Sequence, residues 1–239
     1  MLREQAVGPI ENPLEMNETL SNVVSKLSNS NEYPALFAAA FGDENISSDR
    51  IGLALENFML TIVSNDSKYD QWLAGNVALT ESEERGRRLF FGIGPNNMGG
   101  PGGGGPQARA NCVQCHGGAN FDSPQFFNIG LDNDANISDN GREGVTGPPA
   151  DRGRFKTTSL RNIAVTGPYM HDGRFSSLEQ VFQFYNNGVN NSNTLAPKLQ
   201  KATQNGMGLS ARDRQDIIAF LNTLTDPTYL NNPDYSDPN

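Results

Sequence analysis

Both cysteines of the 239-residue chain and one of its two histidines fall within five positions, in the stretch "ANCVQCHGGANF". Cys112, Cys115 and His116 form C-x-x-C-H, the attachment signature of a c-type haem. The two thiols of such a motif add across the haem vinyl groups as thioethers, and the adjacent imidazole turns onto the iron. Other uses of the same residues need partners that the chain lacks. A structural zinc site takes four Cys or His ligands, and only His171 remains beyond these three. A thioredoxin-like redox pair sits at a strand-to-helix turn within a βαβ pattern, whereas Cys112 follows the glycine-rich run "GGPGGGGPQARAN".

Length predicts one or two domains with a sizeable core. The net charge of −9 and an isoelectric point near 4.7 argue against nucleic acid and anionic membrane surfaces as partners. No run of eighteen apolar residues offers a membrane span. The opening "MLREQAVGPIENPLEM" lacks the apolar h-region of a signal peptide. Because c-type attachment takes place outside the cytoplasmic membrane, the expectation is a periplasmic protein whose export signal lies upstream of Met1.

The periodicity is mostly helical. Ile51, Ala54, Leu55, Phe58, Met59 and Ile62 recur at helical spacing after a Ser/Asp start, and Leu20, Val23, Val24 and Leu27 form a shorter stripe. The pattern breaks around "SNDSKYDQWLAGN", which places a domain boundary near residue 72 and a division into 1–72 and 73–239. Thr80 and Glu83 open the next helix as a capping box, running to about Phe91. The glycine-rich run reads as a surface insertion. From Phe121 to Gly167 the chain is rich in Asn, Asp, Gly and Pro, predicting long loops that use a haem in place of a hydrophobic core. Ser176 and Glu179 predict a second capping box, with the stripe Leu178, Val181, Phe182 and Tyr185 and a stop at Gly188. A last helix, capped by Ser210 and running to Leu224, buries Ile217, Ile218, Leu221 and Leu224. The predicted fold is all-α: a c-type cytochrome domain with long loops, preceded by a helical segment.

"EQAVGPIENPLEM", the haem motif, "DRGRFKTTSLRNIAVTGPYMHDGRFSSLEQVFQFYNNG" and "LSARDRQDIIAFLNTLTD" together resemble the bacterial di-haem cytochrome c peroxidases, a family that includes the MauG enzymes. The resemblance covers nearly the whole chain apart from the glycine-rich run. It implies an oxidoreductase that reduces hydrogen peroxide with electrons from a small cytochrome or cupredoxin, or oxidises a protein substrate. Family members carry two C-x-x-C-H motifs, and this sequence has only the second. By resemblance, residues 1–72 match the trailing helices of the first, peroxidatic haem domain, and residues 73–239 hold the haem that relays electrons. The single motif on its own also fits a stand-alone mono-haem electron carrier.

The resemblance also implies roles for individual residues. Glu15 matches the acid that moves a proton between the peroxide oxygens over the first haem, and Gln5 an amide lining the same pocket. Thr166 and Pro168 match positions whose backbone carbonyls bind a calcium ion. Tyr185, fourteen residues after His171, occupies a position where cytochrome-donor peroxidases have a methionine iron ligand and the MauG branch has a tyrosine. As a phenolate it would stabilise ferric iron. Met207 and His171 are the next candidates for the sixth ligand, followed by Met170 and Met98. The resemblance places His171 near the haem rather than on its iron, and His171 reads better as a hydrogen-bonded residue fixing the "HDGR" turn.

Overall fold

Most of the longer helices begin where a hydroxyl can close the first turn. In a computed structural model, which describes residues 2–93 and 110–236, the elements are α1 (Leu2–Glu11), α2 (Leu20–Ser28), α3 (Tyr33–Phe41), α4 (Ser48–Thr61), α5 (Lys68–Leu73) and α6 (Glu81–Phe91). After the haem motif come β1 (Phe126–Phe127), α7 (Glu143–Thr146), β2 (Phe155–Lys156), α8 (Leu178–Asn187), α9 (Ala202–Asn205), α10 (Ala211–Asn222) and α11 (Pro227–Leu230). Thr19 and Ser47 cap α2 and α4, and capping boxes open α5 (Ser67 with Asp70), α6 (Thr80 with Glu83) and α10 (Ser210 with Asp213). The box of α8 is Ser177 with Gln180, one residue later than the predicted Ser176 and Glu179. Both registers satisfy the motif, and the later one makes the buried Leu178 the first helical residue. The strands β1 and β2 pair antiparallel over two residues each, so the fold is mostly helical as predicted. The glycine-rich run and Met98 lie outside the described residues.

The described chain divides into two compact units. Unit 1 holds residues 2–63 with 233–236 and packs Phe37, Ile46 and Ile51 against Val23, Val24, Leu27 and Leu55. The tail returns to it, where the Tyr235 hydroxyl donates to the Thr61 carbonyl at 2.6 Å. The predicted α4 stripe is only half used: Ile51 is buried, while Phe58 and Ile62 are exposed, as are Leu14 and Met16.

Unit 2 holds residues 64–93 and 110–232. Its edge therefore falls at Val63/Ser64, not near residue 72. The reason is a closure between distant segments: Asp226, 1% exposed, accepts the Ser64 hydroxyl at 3.2 Å and the Asp66 N–H at 2.9 Å, and the Tyr69 N–H donates to the Thr223 carbonyl at 3.0 Å. Buried Asn162 completes it, donating to Ser64 Oγ at 3.1 Å and accepting the Asp226 N–H at 2.8 Å. Residues 64–72 thereby belong to the haem-motif unit.

The centre of unit 2 is the crossing of α6 and α10, which meet at Gly86. Arg85 forms a two-point ion pair with Asp216 at 2.8 and 2.9 Å, and Ser82 donates to the same carboxylate. Phe90, Phe91, Phe220, Tyr69 and Phe121 stack edge-on and tilted around this crossing at ring separations of 5.3–6.2 Å. Burial opposes ionisation of Asp216 and Asp226, but hydrogen bonds from Arg85 and Ser82, and from the Tyr229 and Asp66 N–H groups, hold both below the usual carboxylate range. A depressed folded-state pKa stabilises above the unfolded value near 3.9 and is lost as pH falls through the folded value. The unfolding midpoint should accordingly hold at neutral pH and drop below about pH 4. Asp226→Asn should be less stable at pH 7 and show a shallower acid fall; denaturant titrations across pH 2–7 that superimpose in slope would contradict this assignment.

Candidate haem site

The motif is presented by a short turn tied to α6. The Asn111 N–H donates to the Leu89 carbonyl at 3.1 Å, and Cys112–Gln114 form one 3₁₀ turn. The N–H groups of Cys115 and His116 both close onto the Cys112 carbonyl, at 3.0 and 2.9 Å. A tight loop follows, closed by the Asp122 N–H on the Gly117 carbonyl, and it returns Phe121 to the aromatic core, where that residue is 2% exposed. His116 Nδ1 lies 3.2 Å from the Phe121 carbonyl. A carbonyl can only accept, so Nδ1 carries the proton and the lone pair is on Nε2, the arrangement metal-bound histidines use. Burial lowers the His116 pKa, with its backbone hydrogen bonds at Phe121 and Thr158 and the Asp122 charge acting in the opposite sense.

Neither cysteine is in a disulfide, and both are half-buried. Burial, and then the neighbouring Cys115, push the Cys112 thiol up to about 12. Burial likewise raises Cys115, with the Lys198 ammonium acting in the opposite sense. Raised thiol pKa values are unlike the low-pKa nucleophile of a thioredoxin-like pair. Among the described residues no cluster of three His, Cys, Asp or Glu side chains could hold a metal ion. The donor set is thus two thiols and one imidazole on a single turn, which suits thioether attachment with Nε2 left for the iron.

Tyr185 reaches the same place from α8. Burial raises its phenol pKa strongly, and the nearby Cys112 and Cys115 add to that shift. Its backbone is held on both sides: the Met207 N–H donates to the Tyr185 carbonyl at 3.3 Å, and the Asn186 amide bonds both the N–H and the carbonyl of Leu209, at 2.8 and 3.1 Å. Gly206 permits this approach, since a Cβ there would lie 1.4 Å from the Asn186 carbonyl oxygen and its φ is +61°. Two apolar clusters flank the site. One contains the aromatic core with Cys112 and Val113 against it, and the other contains Leu131, Phe184 and Leu195 with Tyr185 and Met170; Phe175 and Met207 touch both.

The other predicted residues are placed differently. Met207 and Met170 stand in the clusters around Tyr185. His171 is exposed and stacks on Phe155 at a ring separation of 3.7 Å. The "HDGR" turn is fixed by Arg174 instead, which bonds Asp172 at 2.7 Å and Asp132 at 2.8 and 3.1 Å. Gln5 and Glu15 are both exposed, on α1 and in the turn after it, and Thr166 and Pro168 are exposed around a cis Gly167–Pro168 bond. Sequence reasoning missed Lys198, whose ammonium bonds the Gln114 carbonyl inside the motif, and also Ser159, Arg161 and Asp70, which hold the loop after it. None of these carries a periodic or spacing signal.

Among the described residues no helix is long and apolar enough to cross a membrane. The family model for di-haem cytochrome c peroxidase matches residues 1–78. The methylamine utilization protein MauG of Methylophilus methylotrophus is 36% identical over 93% of this chain and 61% of its own length. Cytochrome c551 peroxidase of Nitrosomonas europaea is 33% identical over 94% of this chain and 58% of its own. The chain thus spans about three fifths of the length of these relatives. The crystal structure of a MauG-like protein associated with microbial copper homeostasis superposes with a TM-score of 0.84 at 32% identity, covering all of this chain and 72% of that one. Sequence likeness on this scale, joined to a superposition that includes every described element, makes the chain a member of the di-haem cytochrome c peroxidase/MauG family, whose cofactor is covalently bound haem c.

Proposed function

We propose that this chain holds the electron-relay haem of a periplasmic oxidoreductase that consumes hydrogen peroxide, drawing electrons from a small cytochrome or cupredoxin or oxidising a protein substrate. The observation that carries the reading is that Phe175 and Met207 pack against both the cluster that holds Cys112 and the one that holds Tyr185, which brings helix α8 to a turn some seventy residues earlier. When bound, haem c supplies a one-electron ferric/ferrous couple. Cys112 and Cys115 fix its position through thioethers. His116 presents Nε2 while the Phe121 carbonyl holds its Nδ1 proton. Tyr185, with its phenol proton released to solvent, would offer the iron a hard anionic oxygen, a donor that favours the ferric state and a low potential. Such a site suits holding oxidising equivalents.

Unit 1 is read as the trailing helical part of the first, peroxidatic haem domain. Its exposed Leu14, Met16, Phe58 and Leu60 support this, as apolar surface that a larger domain would cover. In that setting Gln5 would line the peroxide pocket and the Glu15 carboxylate would move a proton between the peroxide oxygens. The Thr166 and Pro168 carbonyls are hard oxygen donors that suit a calcium ion. A stand-alone electron carrier has only the single motif in its favour.

The ligand assignment is tested by Tyr185→Phe in the haem-loaded chain. Loss of the phenolate should change the ferric absorption spectrum and raise the midpoint potential. A spectrum and potential matching the parent would exclude Tyr185 and leave Met207, Met170 or His171 as the sixth ligand.

A further inference from the structure

We infer that Arg161 is a positioning residue for His116, acting through the backbone loop 119–121 and braced by Asp70 and Ser159. The inference rests on His116 being the axial ligand. The His116 Nδ1–H bond ends on the Phe121 carbonyl, so its strength depends on how firmly that carbonyl is held. Phe121 has φ +53°, a left-handed conformation disfavoured for a side chain of its size. A loop in that state relaxes unless its neighbours hold it. Two of them do: Arg161 Nε donates to the Ala119 carbonyl at 3.0 Å, and the Ser159 hydroxyl donates to the Asn120 carbonyl at 2.6 Å. The two carbonyls preceding the acceptor are therefore both pinned.

The brace has its own anchor. The Arg161 guanidinium meets Asp70 in a two-point pair at 2.8 and 3.0 Å, with side-chain exposures of 12% and 16%. Asp70 also accepts the N–H and hydroxyl of Ser67, the fully buried cap of α5, at 3.0 and 2.6 Å. Burial opposes its charge, but the bonds from Arg161 and Ser67 hold Asp70 below the usual carboxylate range. Ser159 Oγ in turn accepts the Arg161 N–H at 3.1 Å. One planar fork thus spans from the helix cap to the loop, a geometry that a lysine cannot reproduce. Partners of this kind set the basicity of a ligating imidazole, because a firmly held acceptor gives the ring more anionic character. An anionic ring stabilises ferric iron. The brace should consequently hold the midpoint potential down.

The experiment uses the haem-loaded chain with four variants, reading the midpoint potential and the solvent exchange of the hyperfine-shifted Nδ1 proton by NMR. Arg161→Gln should raise the ferrous-to-ferric ratio at a fixed potential by about tenfold, equivalent to about 59 mV for one electron, and should speed the exchange. Ser159→Ala should move both readouts the same way by less. Arg161→Lys keeps the charge beside Asp70 but loses the bond to Ala119, so it should shift both readouts while remaining folded. Arg85→Gln, which breaks an ion pair of similar geometry at the α6–α10 crossing, should lower stability and leave both readouts unchanged. Parental potentials and exchange in both Arg161 variants would overturn the inference. Failure of the underlying ligand assignment is separately visible, because the parent protein would then show no hyperfine-shifted imidazole proton from His116.

Discussion

Replacing Cys112 and Cys115 together by serine is expected to abolish acid–acetone-resistant haem, with one covalent haem per chain in the parent after periplasmic maturation. Both thiols stand at the two ends of one 3₁₀ turn, in which the Cys115 and His116 N–H groups close on the Cys112 carbonyl. Serine keeps that turn, which depends on backbone bonds alone, and removes the only atoms able to form thioethers. Haem held by His116 and Tyr185 ligation would then leave on denaturation. The single variants should each retain one thioether and a haem that survives extraction, with an altered ferrous spectrum. Extraction-resistant haem in the double variant would refute the attachment. The loss should also be felt in stability, since Phe175 and Met207 join the two apolar clusters that contain Cys112 and Tyr185, and a covalently held haem would add apolar contacts there.

What was legible in the sequence is what depends on near neighbours. The C-x-x-C-H chemistry is complete within five residues, and Thr80 with Glu83 or Ser210 at the last helix need only one turn of chain to declare themselves. Even there, two adjacent serines offered two registers at α8, and only the burial of Leu178 selects Ser177. The helix α3, "YPALFAAAF", went unread because its residues are apolar almost throughout and mark no face. The break near residue 72 was real as a loss of periodicity, yet it lies inside unit 2. The bonds that decide the edge join Ser64 and Asp66 to Asp226, some 160 positions away. The site divides the same way. Cys112, Cys115 and His116 announce themselves, whereas the stripe through Tyr185 would exist whether or not its hydroxyl reached the motif. Arg161 and Asp70, ninety-one residues apart, leave no local trace at all.

The largest stability effect is expected from Gly86→Val, at a residue that helix propensity alone would mark as a defect. Glycine in a helix interior costs roughly 1 kcal/mol relative to alanine, so an isolated α6 would gain from any side chain there. The crossing with α10 reverses the sign. A Cβ on Gly86 would lie 1.8 Å from the Asp216 carbonyl oxygen, 2.4 Å from its carbon and 2.9 Å from Phe220 Cβ. Two of these three atoms are backbone and cannot rotate away, so the helices must separate. Separation stretches the Arg85–Asp216 pair and opens the ring contacts of Phe220 with Phe90 and Tyr69. Overpacking in a core costs typically 1–3 kcal/mol and more where backbone must move, and about 3 kcal/mol or more is expected here. For a unit of this size that lowers the thermal midpoint by roughly 6–12 °C. A Gly86→Val midpoint within 2 °C of the parent, measured on haem-loaded protein by circular dichroism at about 222 nm, would show that the helices can part at little cost.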